Sequence, residues 1–175
     1  DLTSNSAEAG AFTKSSPSEP IPDLQFHFVI AANTHHARDI GVLFRGYAYS
    51  LHACVLRPKS RGSITLRNAD AMAAPVIQPN YCAEGEDFDK LVTGLRQARA
   101  ILAQPAFEPH RGEELDPGEK VQDAEALRAW VRANAETIYH PVGTCKMGVD
   151  ALAVVDPQLR VRGLAGLRVA DASIM

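Results

Sequence analysis

The fold of this chain is decided by residues 23–30, whose sequence is DLQFHFVI. Apolar residues occupy every second position from Leu24 to Ile30, and His27 stands between them. A period of two is typical of a β-strand that turns one face toward a core. The stretch therefore predicts a strand whose apolar face is buried and whose opposite face carries His27.

Two further strands are predicted after this first one. Residues 51–56 and 63–66 are strand-like runs, and the residues between them include Pro58, Gly62 and several cations. Turn residues between two strand-like runs favour a hairpin. We therefore expect these two strands to pair with each other and the sheet to be antiparallel.

Two helices are predicted in the middle of the chain. Apolar residues recur at helical spacing from Phe88 to Leu102, with acidic residues near the start and Pro105 after the end, as the helix dipole and proline's missing N–H require. Asp123 can cap a second helix that ends near Glu136. Its expected buried stripe consists of Ala124, Leu127, Trp130 and Val131.

The order of these elements predicts the fold class. Strands and helices come in separate blocks, which indicates an α+β fold with helices packed on one face of an antiparallel sheet. Residues 1–22 are rich in Ser, Ala, Pro and Glu and show little periodicity. We therefore expect that segment to be irregular or partly disordered.

Composition excludes several classes of protein. The chain has 175 residues, of which 46% are hydrophobic, which suits one domain with a core. A net charge of -3 without a basic stripe argues against nucleic acid as a partner. No apolar run approaches the roughly 20 residues that span a bilayer. The odd number of cysteines, without C-x-x-C, indicates a reducing compartment, and we expect a cytoplasmic protein.

Residues 139–148, YHPVGTCKMG, contain a histidine suited to chemistry. Pro141 excludes His140 from the interior of a helix and places it at a bend. An imidazole exchanges a proton near neutral pH, and Gly143 and Gly148 allow close approach of the backbone to a ligand. The stretch is therefore predicted to be an active-site loop.

This loop and other motifs carry a family resemblance. The chain resembles the C-terminal part of the glucose/methanol/choline (GMC) oxidoreductases, which are flavoproteins that oxidise alcohols. The resemblance extends over nearly the whole chain, in the family's own order. Its motifs are Ser4-Asn5, AEAG at 7–10, PDLQFHF at 22–28, RPKSRGS at 57–63, PNY at 79–81, YHPVGTCKMG at 139–148, VDP at 155–157 and GLRVADASIM at 166–175.

The resemblance also indicates missing parts. Family members open with a βαβ unit whose G-x-G-x-x-G turn holds the FAD pyrophosphate, and this sequence contains no such turn. A family member would also continue beyond Met175 with Pro and a second catalytic His or Asn. We therefore expect a C-terminal fragment with an irregular segment at 1–22, a substrate-binding domain at 23–138, and a catalytic-His loop with an incomplete FAD-domain segment at 139–175.

The resemblance implies roles for particular residues. His140 would accept the hydroxyl proton of an alcohol while the hydride passes to flavin N5, which is general-base catalysis. Tyr139 and His140 would lie beside the isoalloxazine, and Ala170, Asp171 and Ala172 beside the ribityl or pyrophosphate. FAD is expected in the full-length parent and is not expected to bind the fragment.

Histidine and cysteine side chains can also bind metals or act as nucleophiles. Blue-copper sites need two His with Cys and Met, and structural zinc needs four closely spaced ligands; His140, Cys145 and Met147 match neither pattern, so no metal site is predicted. Cys145 is expected to be a small buried residue. The pair His35-His36 is expected at the surface, and His52 is expected to face solvent, a domain interface or the substrate cavity.

The sequence thus predicts a part of an FAD-dependent alcohol dehydrogenase or oxidase, similar to choline dehydrogenase. Its expected partners are a small alcohol and the missing N-terminal FAD domain, and an exposed interface would favour self-association of the fragment. The alternative is a non-catalytic α+β binding module in which His140 is structural.

Overall fold

The computed structural model describes residue 5 and residues 7–32 and 46–175. The chain divides into two compact units, one formed by Asp1–Arg61 with Tyr81–Ala135 and one by Gly62–Asn80 with Glu136–Met175. His35 and His36 lie outside the described residues. The predicted domain boundaries at residues 22 and 138 stay predictions.

The first unit contains a three-stranded antiparallel sheet. Its strands are β1 (Ala7–Thr13), β2 (Leu24–Val29) and β3 (Ser50–Val55), in the order β1-β2-β3. The predicted strand at 23–30 is the central strand, and its Leu24 and Phe26 are almost completely buried. The predicted antiparallel sheet is confirmed.

Strand β1 corrects the expectation of irregular structure at residues 1–22. Its sequence, AEAGAFT, lacks the alternation of large apolar residues that marks β2. It is nevertheless a strand, because its backbone pairs with β2 from Thr13 opposite Leu24 to Ala7 opposite Val29. Strand formation depends strongly on the neighbouring strand, and the sequence of β1 alone does not reveal that neighbour.

The first of the two helices packs on one face of the sheet, and the second helix packs on the first. Helix α1 (Gly85–Leu102) packs on β2 and β3, where Ala98 joins Leu24 and Phe26 in one core cluster. Helix α2 (Ala124–Asn134) packs on α1, through a second cluster. That cluster consists of Phe88, Val92, Leu127 and Val131. The predicted α+β fold is confirmed.

Helix α2 begins where the sequence indicates. The side chain of Asp123 accepts a hydrogen bond from the Ala126 N–H at 2.8 Å, which is the expected cap. The predicted buried stripe is only half correct, because Trp130 is half-buried and Ala124 is exposed. Only the narrow face that contacts α1 is buried on this 11-residue helix.

A buried ion pair joins the sheet to α1. Lys90 Nζ contacts Asp23 at 3.0 Å, Glu19 at 3.1 Å and Glu86 at 3.1 Å. Ser15 donates two more hydrogen bonds to the Asp23 carboxylate, from its N–H at 2.7 Å and its hydroxyl at 2.6 Å. Burial acts to raise the pKa of Asp23, but these bonds outweigh it and lower the pKa to about 2.

A second buried carboxylate fixes the turn that precedes residue 62. Asp87 on α1 accepts hydrogen bonds from the Lys59 N–H and the Ser60 N–H, both at 2.8 Å, and from the Ser60 hydroxyl at 2.6 Å. Its burial acts to raise its pKa, but these donors lower the pKa below its usual value. The turn is therefore held by α1.

The second unit contains the hairpin of β4 (Ser63–Thr65) and β5 (Val76–Gln78). The predicted strand at 63–66 exists, but its predicted pairing with 51–56 is wrong: β3 pairs with β2, and β4 pairs with β5. Asp87 holds residues 59 and 60. Gly62 lies so close to β5 that an added Cβ would be 2.3 Å from the Gln78 carbonyl oxygen.

Residues 136–175 complete the second unit with short backbone bridges. Val155 bridges both Met147 and Val161, and Arg160 bridges Arg168. Val155 is fully buried and forms the centre of this segment. Across residues 7–32 and 46–175, neither helix has the length and apolar content that crossing a bilayer would require.

Candidate functional site

The loop after helix α2 displays Tyr139 and His140. Tyr139 has φ of 63°, a left-handed conformation that is uncommon for a bulky residue. Its N–H donates to the Thr137 hydroxyl at 2.9 Å, which supports this bend. Both side chains are exposed, so the loop presents the phenol and the imidazole at the surface of its unit. Strained backbone of this kind is often found at functional sites.

Backbone hydrogen bonds join the end of this loop to the end of the chain. The Cys145 N–H donates to the Ser173 carbonyl at 2.9 Å, and the Met147 N–H donates to the Ile174 carbonyl at 2.8 Å. Gly143 has φ of 89°, which favours glycine. The segment 139–148, which contains His140, and the segment 170–175, which contains Asp171, are therefore joined by hydrogen bonds, and together they are called the framework.

Asp171 caps a single 3-10 turn, Ala172–Ile174. Its carboxylate accepts hydrogen bonds from the Ser173 hydroxyl and from the Ser173 N–H, the latter at 2.7 Å. Both hydrogen bonds lower the pKa of Asp171, and the bond from the Ser173 hydroxyl has the larger effect. Asp171 is thus an exposed and ionised carboxylate in a fixed orientation.

Residues 154–162 form further hydrogen bonds with Lys146 and Gly148, at the end of segment 139–148. The Val154 N–H donates to the Lys146 carbonyl at 3.0 Å, and the Gly148 N–H donates to the Val155 carbonyl at 3.1 Å. The Arg162 guanidinium donates to the Gly148 carbonyl at 2.8 Å. The residues just after the His140 loop are therefore held from two directions.

The predicted site residues all belong to the second unit. Tyr139 and His140 lie on one segment of the framework, and Ala170, Asp171 and Ala172 lie on the other. All of them are exposed. The arrangement can present a proton acceptor and a carboxylate to a ligand, and the role of each residue in catalysis or cofactor binding stays a prediction.

The sheet of the first unit carries a polar cluster that the sequence did not indicate. His27 on β2 lies directly opposite His52 on β3. Cys54 Sγ lies 4.0 Å from His27 Nε2 and 4.0 Å from Gln25 Oε1. Burial raises the pKa of the Cys54 thiol. The period of two in β2 and β3 indicates which residues of each strand share a face. Only the pairing register of the two strands shows that His27, His52 and Cys54 are neighbours.

Among the described residues, no group of three or more His, Cys, Asp and Glu side chains is arranged to hold a metal ion. Cys145 is half-buried, and its N–H is bonded to the Ser173 carbonyl. The sequence predicts a small buried residue, and the side chain is less buried than expected. That Cys145 is not a nucleophile stays a prediction.

Comparisons with known sequences give one consistent family. Residues 58–175 match the family described as GMC oxidoreductase. The chain is 50% identical over 174 residues to an alcohol dehydrogenase [acceptor] of Pseudomonas putida, covering 99% of this chain and 31% of that protein. It is 44% identical over 173 residues to an oxygen-dependent choline dehydrogenase of Rhizobium etli, covering 98% of this chain and 31% of that protein.

Solved structures agree with the sequence comparisons. A pyridoxine 4-oxidase from Mesorbium loti superposes with a TM-score of 0.80 at 28% identity, covering 97% of this chain and 33% of that chain. A fungal aryl-alcohol oxidase gives a TM-score of 0.65 at 30% identity, covering 89% of this chain and 24% of that chain. The chain spans 31% of the length of each curated relative named above.

Proposed function

The chain belongs to the GMC oxidoreductase family, and on that basis we propose that it is the substrate-binding, C-terminal part of an FAD-dependent alcohol oxidoreductase in which His140 accepts the proton of the alcohol. Membership confirms the resemblance that the sequence motifs indicate. The observation that carries the proposal is the exposed His140 on a loop whose Cys145 is hydrogen-bonded to Ser173, two residues after Asp171.

The residues of the second unit fit one wall of a flavin site. Tyr139 offers an exposed aromatic ring, and the segment Ala170–Asp171–Ala172 offers an exposed backbone beside an ionised carboxylate. The phosphate-binding G-x-G-x-x-G turn is not in this sequence, so the remainder of the site would come from other parts of the full-length protein. When bound, FAD would supply the acceptor for the hydride of the alcohol carbon.

In this proposal His140 acts as a general base. One imidazole nitrogen takes the proton from the alcohol hydroxyl, so that the carbon–oxygen bond gains double-bond character as the hydride leaves. The left-handed Tyr139 on one side and Pro141 on the other hold His140 outside regular structure. A positioned base of this kind contributes about a hundred- to ten-thousandfold in rate.

The proposed substrate is an alcohol. The relatives include an alcohol dehydrogenase, a choline dehydrogenase and an aryl-alcohol oxidase. These relatives all oxidise an alcohol, but their alcohols differ in size and charge. The proposal therefore specifies the reaction type and names no particular alcohol. The proposed location is the cytoplasm, on the cysteine usage alone.

The test is His140→Ala in the full-length protein. The rate of flavin reduction by the alcohol, followed by stopped-flow absorbance, is expected to fall about a hundred- to ten-thousandfold while the bound FAD content stays unchanged, because a general base is lost and no packing is removed. The matched control is His110→Ala, which removes another exposed histidine from the first unit.

The same variant separates the two candidate functions. If His140 is only structural, as in a non-catalytic binding module, His140→Ala would lower the melting temperature and leave any flavin reduction rate as it was. An unchanged rate in a folded, FAD-loaded variant contradicts the proposed role of His140.

A further inference from the structure

The β4–β5 hairpin exposes an apolar surface. All six strand residues are exposed, and Ile64 lies directly opposite Ile77 with 51% and 61% of their surfaces accessible. Two residues in the connection, Leu66 and Met72, are 85% and 90% exposed. A two-stranded ribbon of this length is at best marginally stable in water. Its apolar surface is therefore suited to a partner.

Hydrogen bonds order the connection between β4 and β5. Asn68 Oδ1 accepts the Asp70 N–H at 3.0 Å, and Asp70 Oδ1 accepts the Met72 N–H at 2.9 Å. The Arg67 guanidinium donates to the Ala74 carbonyl at 3.2 Å. These bonds order the connection, so the isoleucine pair is presented on a fixed backbone.

We propose that the Ile64–Ile77 face of this hairpin docks on the flavin-binding part of the full-length protein, which lies outside this chain. The inference rests on the proposed function, because it takes the parent to contain such a part. It also changes the assignment from sequence, which placed residues 62–80 within the substrate-binding domain.

Two observations select this occupant. The hairpin belongs to the same compact unit as residues 136–175, which contain Tyr139, His140 and Asp171, the residues proposed to face the flavin. The matched relatives also extend well beyond the match, since this chain covers 31% of the alcohol dehydrogenase and 33% of the pyridoxine 4-oxidase chain. The surface that completes the flavin site can therefore also cover the apolar pair, as buried apolar area favours association.

The experiment places probes in the full-length protein. Ile77→Cys is compared with Glu125→Cys, an exposed position on α2, for the rate of maleimide labelling above the background of the native cysteines. Ile77→Cys is expected to react at least about tenfold more slowly, because a covered thiol reacts only after local opening. A photo-crosslinking amino acid at position 77 is expected to link to peptides that precede this chain in the full-length sequence.

Each outcome decides the proposal. Protection of position 77 in the monomer, with crosslinks to the flavin-binding part, supports it. Labelling as fast as at position 125 overturns it, and so do crosslinks to a second copy or protection that appears only in a dimer by light scattering. FAD content and turnover of the same samples report on the proposed function separately, so a protected hairpin in a protein without alcohol oxidation would refute that function and retain the interface.

Discussion

Asp23 shows how a single residue couples the sheet to the helix layer. Its carboxylate is almost completely buried, yet it receives two hydrogen bonds from Ser15 and an ion pair from Lys90. A buried charge is tolerated when its lone pairs are satisfied in this way. Lys90 adds contacts to Glu19 and Glu86. The network therefore joins the loop before β2 to the first turns of α1.

The Asp23 network is expected to make the stability of the protein depend on pH. The pKa of Asp23 is lowered from 3.8 to about 2 in the folded protein, so its ionised form contributes stability above pH 3.8, and this contribution is lost as the pH falls through about 2. Asp23→Asn is expected to be less stable at neutral pH and to lose less stability on acidification through this window. The measurement is the free energy of unfolding from urea titrations at several pH values.

The control is Asp70→Asn, which changes an exposed aspartate in the second unit. It should reproduce the acid dependence of the unchanged protein in the same titrations. If Asp23→Asn gives that same dependence, the Asp23 network contributes nothing to acid stability.

At the scale of elements, the close approach of α1 to the sheet depends on Gly94. A Cβ at this position would lie 2.9 Å from the Ala53 Cβ on β3 and 3.6 Å from a Leu24 methyl group on β2. Two backbones and a short side chain leave little room for adjustment, because packed interiors resist added volume. The glycine within a helix is thus explained by packing, although it weakens the helix by about 1 kcal/mol relative to alanine.

We expect Gly94→Ala to destabilise the protein, even though alanine is the better helix former. Overpacking typically costs about 1 to 3 kcal/mol, and the gain in helix propensity offsets about 1 kcal/mol of this. Ala53→Gly removes the methyl group that the new side chain would meet. A denaturant titration of the double variant should therefore show that Ala53→Gly costs less in the presence of Gly94→Ala than alone. Additive losses would mean that α1 does not approach β3 this closely.

At the scale of the whole molecule, the two units differ in how much core they have. The first unit contains both buried clusters around α1. In the second unit Ala153 and Val155 are buried, while several large apolar side chains are more than half exposed. They include Tyr139, Val142, Val149, Leu152, Leu164 and Met175. Surfaces of this kind are typical of an interface.

We expect the isolated chain neither to bind FAD appreciably nor to oxidise an alcohol. The sequence supplies one wall of the proposed flavin site and lacks the phosphate-binding glycine turn. Isothermal titration with FAD should show no saturable heat, whereas the full-length protein should copurify with FAD. A stoichiometric complex of micromolar affinity would contradict this expectation. The apparent mass of the isolated chain should rise with concentration as exposed apolar surface associates.

The sequence by itself determined the elements with strong local signals. The alternation at residues 23–30 indicated β2, the helical spacing from Phe88 to Leu102 indicated α1, and Asp123 marked the start of α2. The motifs around His140 and Asp171 were sufficient to identify the family. These signals are local, because periodicity, capping and motif identity are properties of adjacent residues.

The tertiary structure alone decided which strands pair and which residues become neighbours. Strand β1 has no apolar pattern of its own and forms by pairing with β2, and β4 pairs with β5 and not with β3. The cluster of His27, His52 and Cys54 follows from the register of the β2–β3 pair. The two segments of the candidate site are joined by the hydrogen bond between Cys145 and Ser173. Pairing and burial depend on residues distant in sequence, which local patterns do not encode.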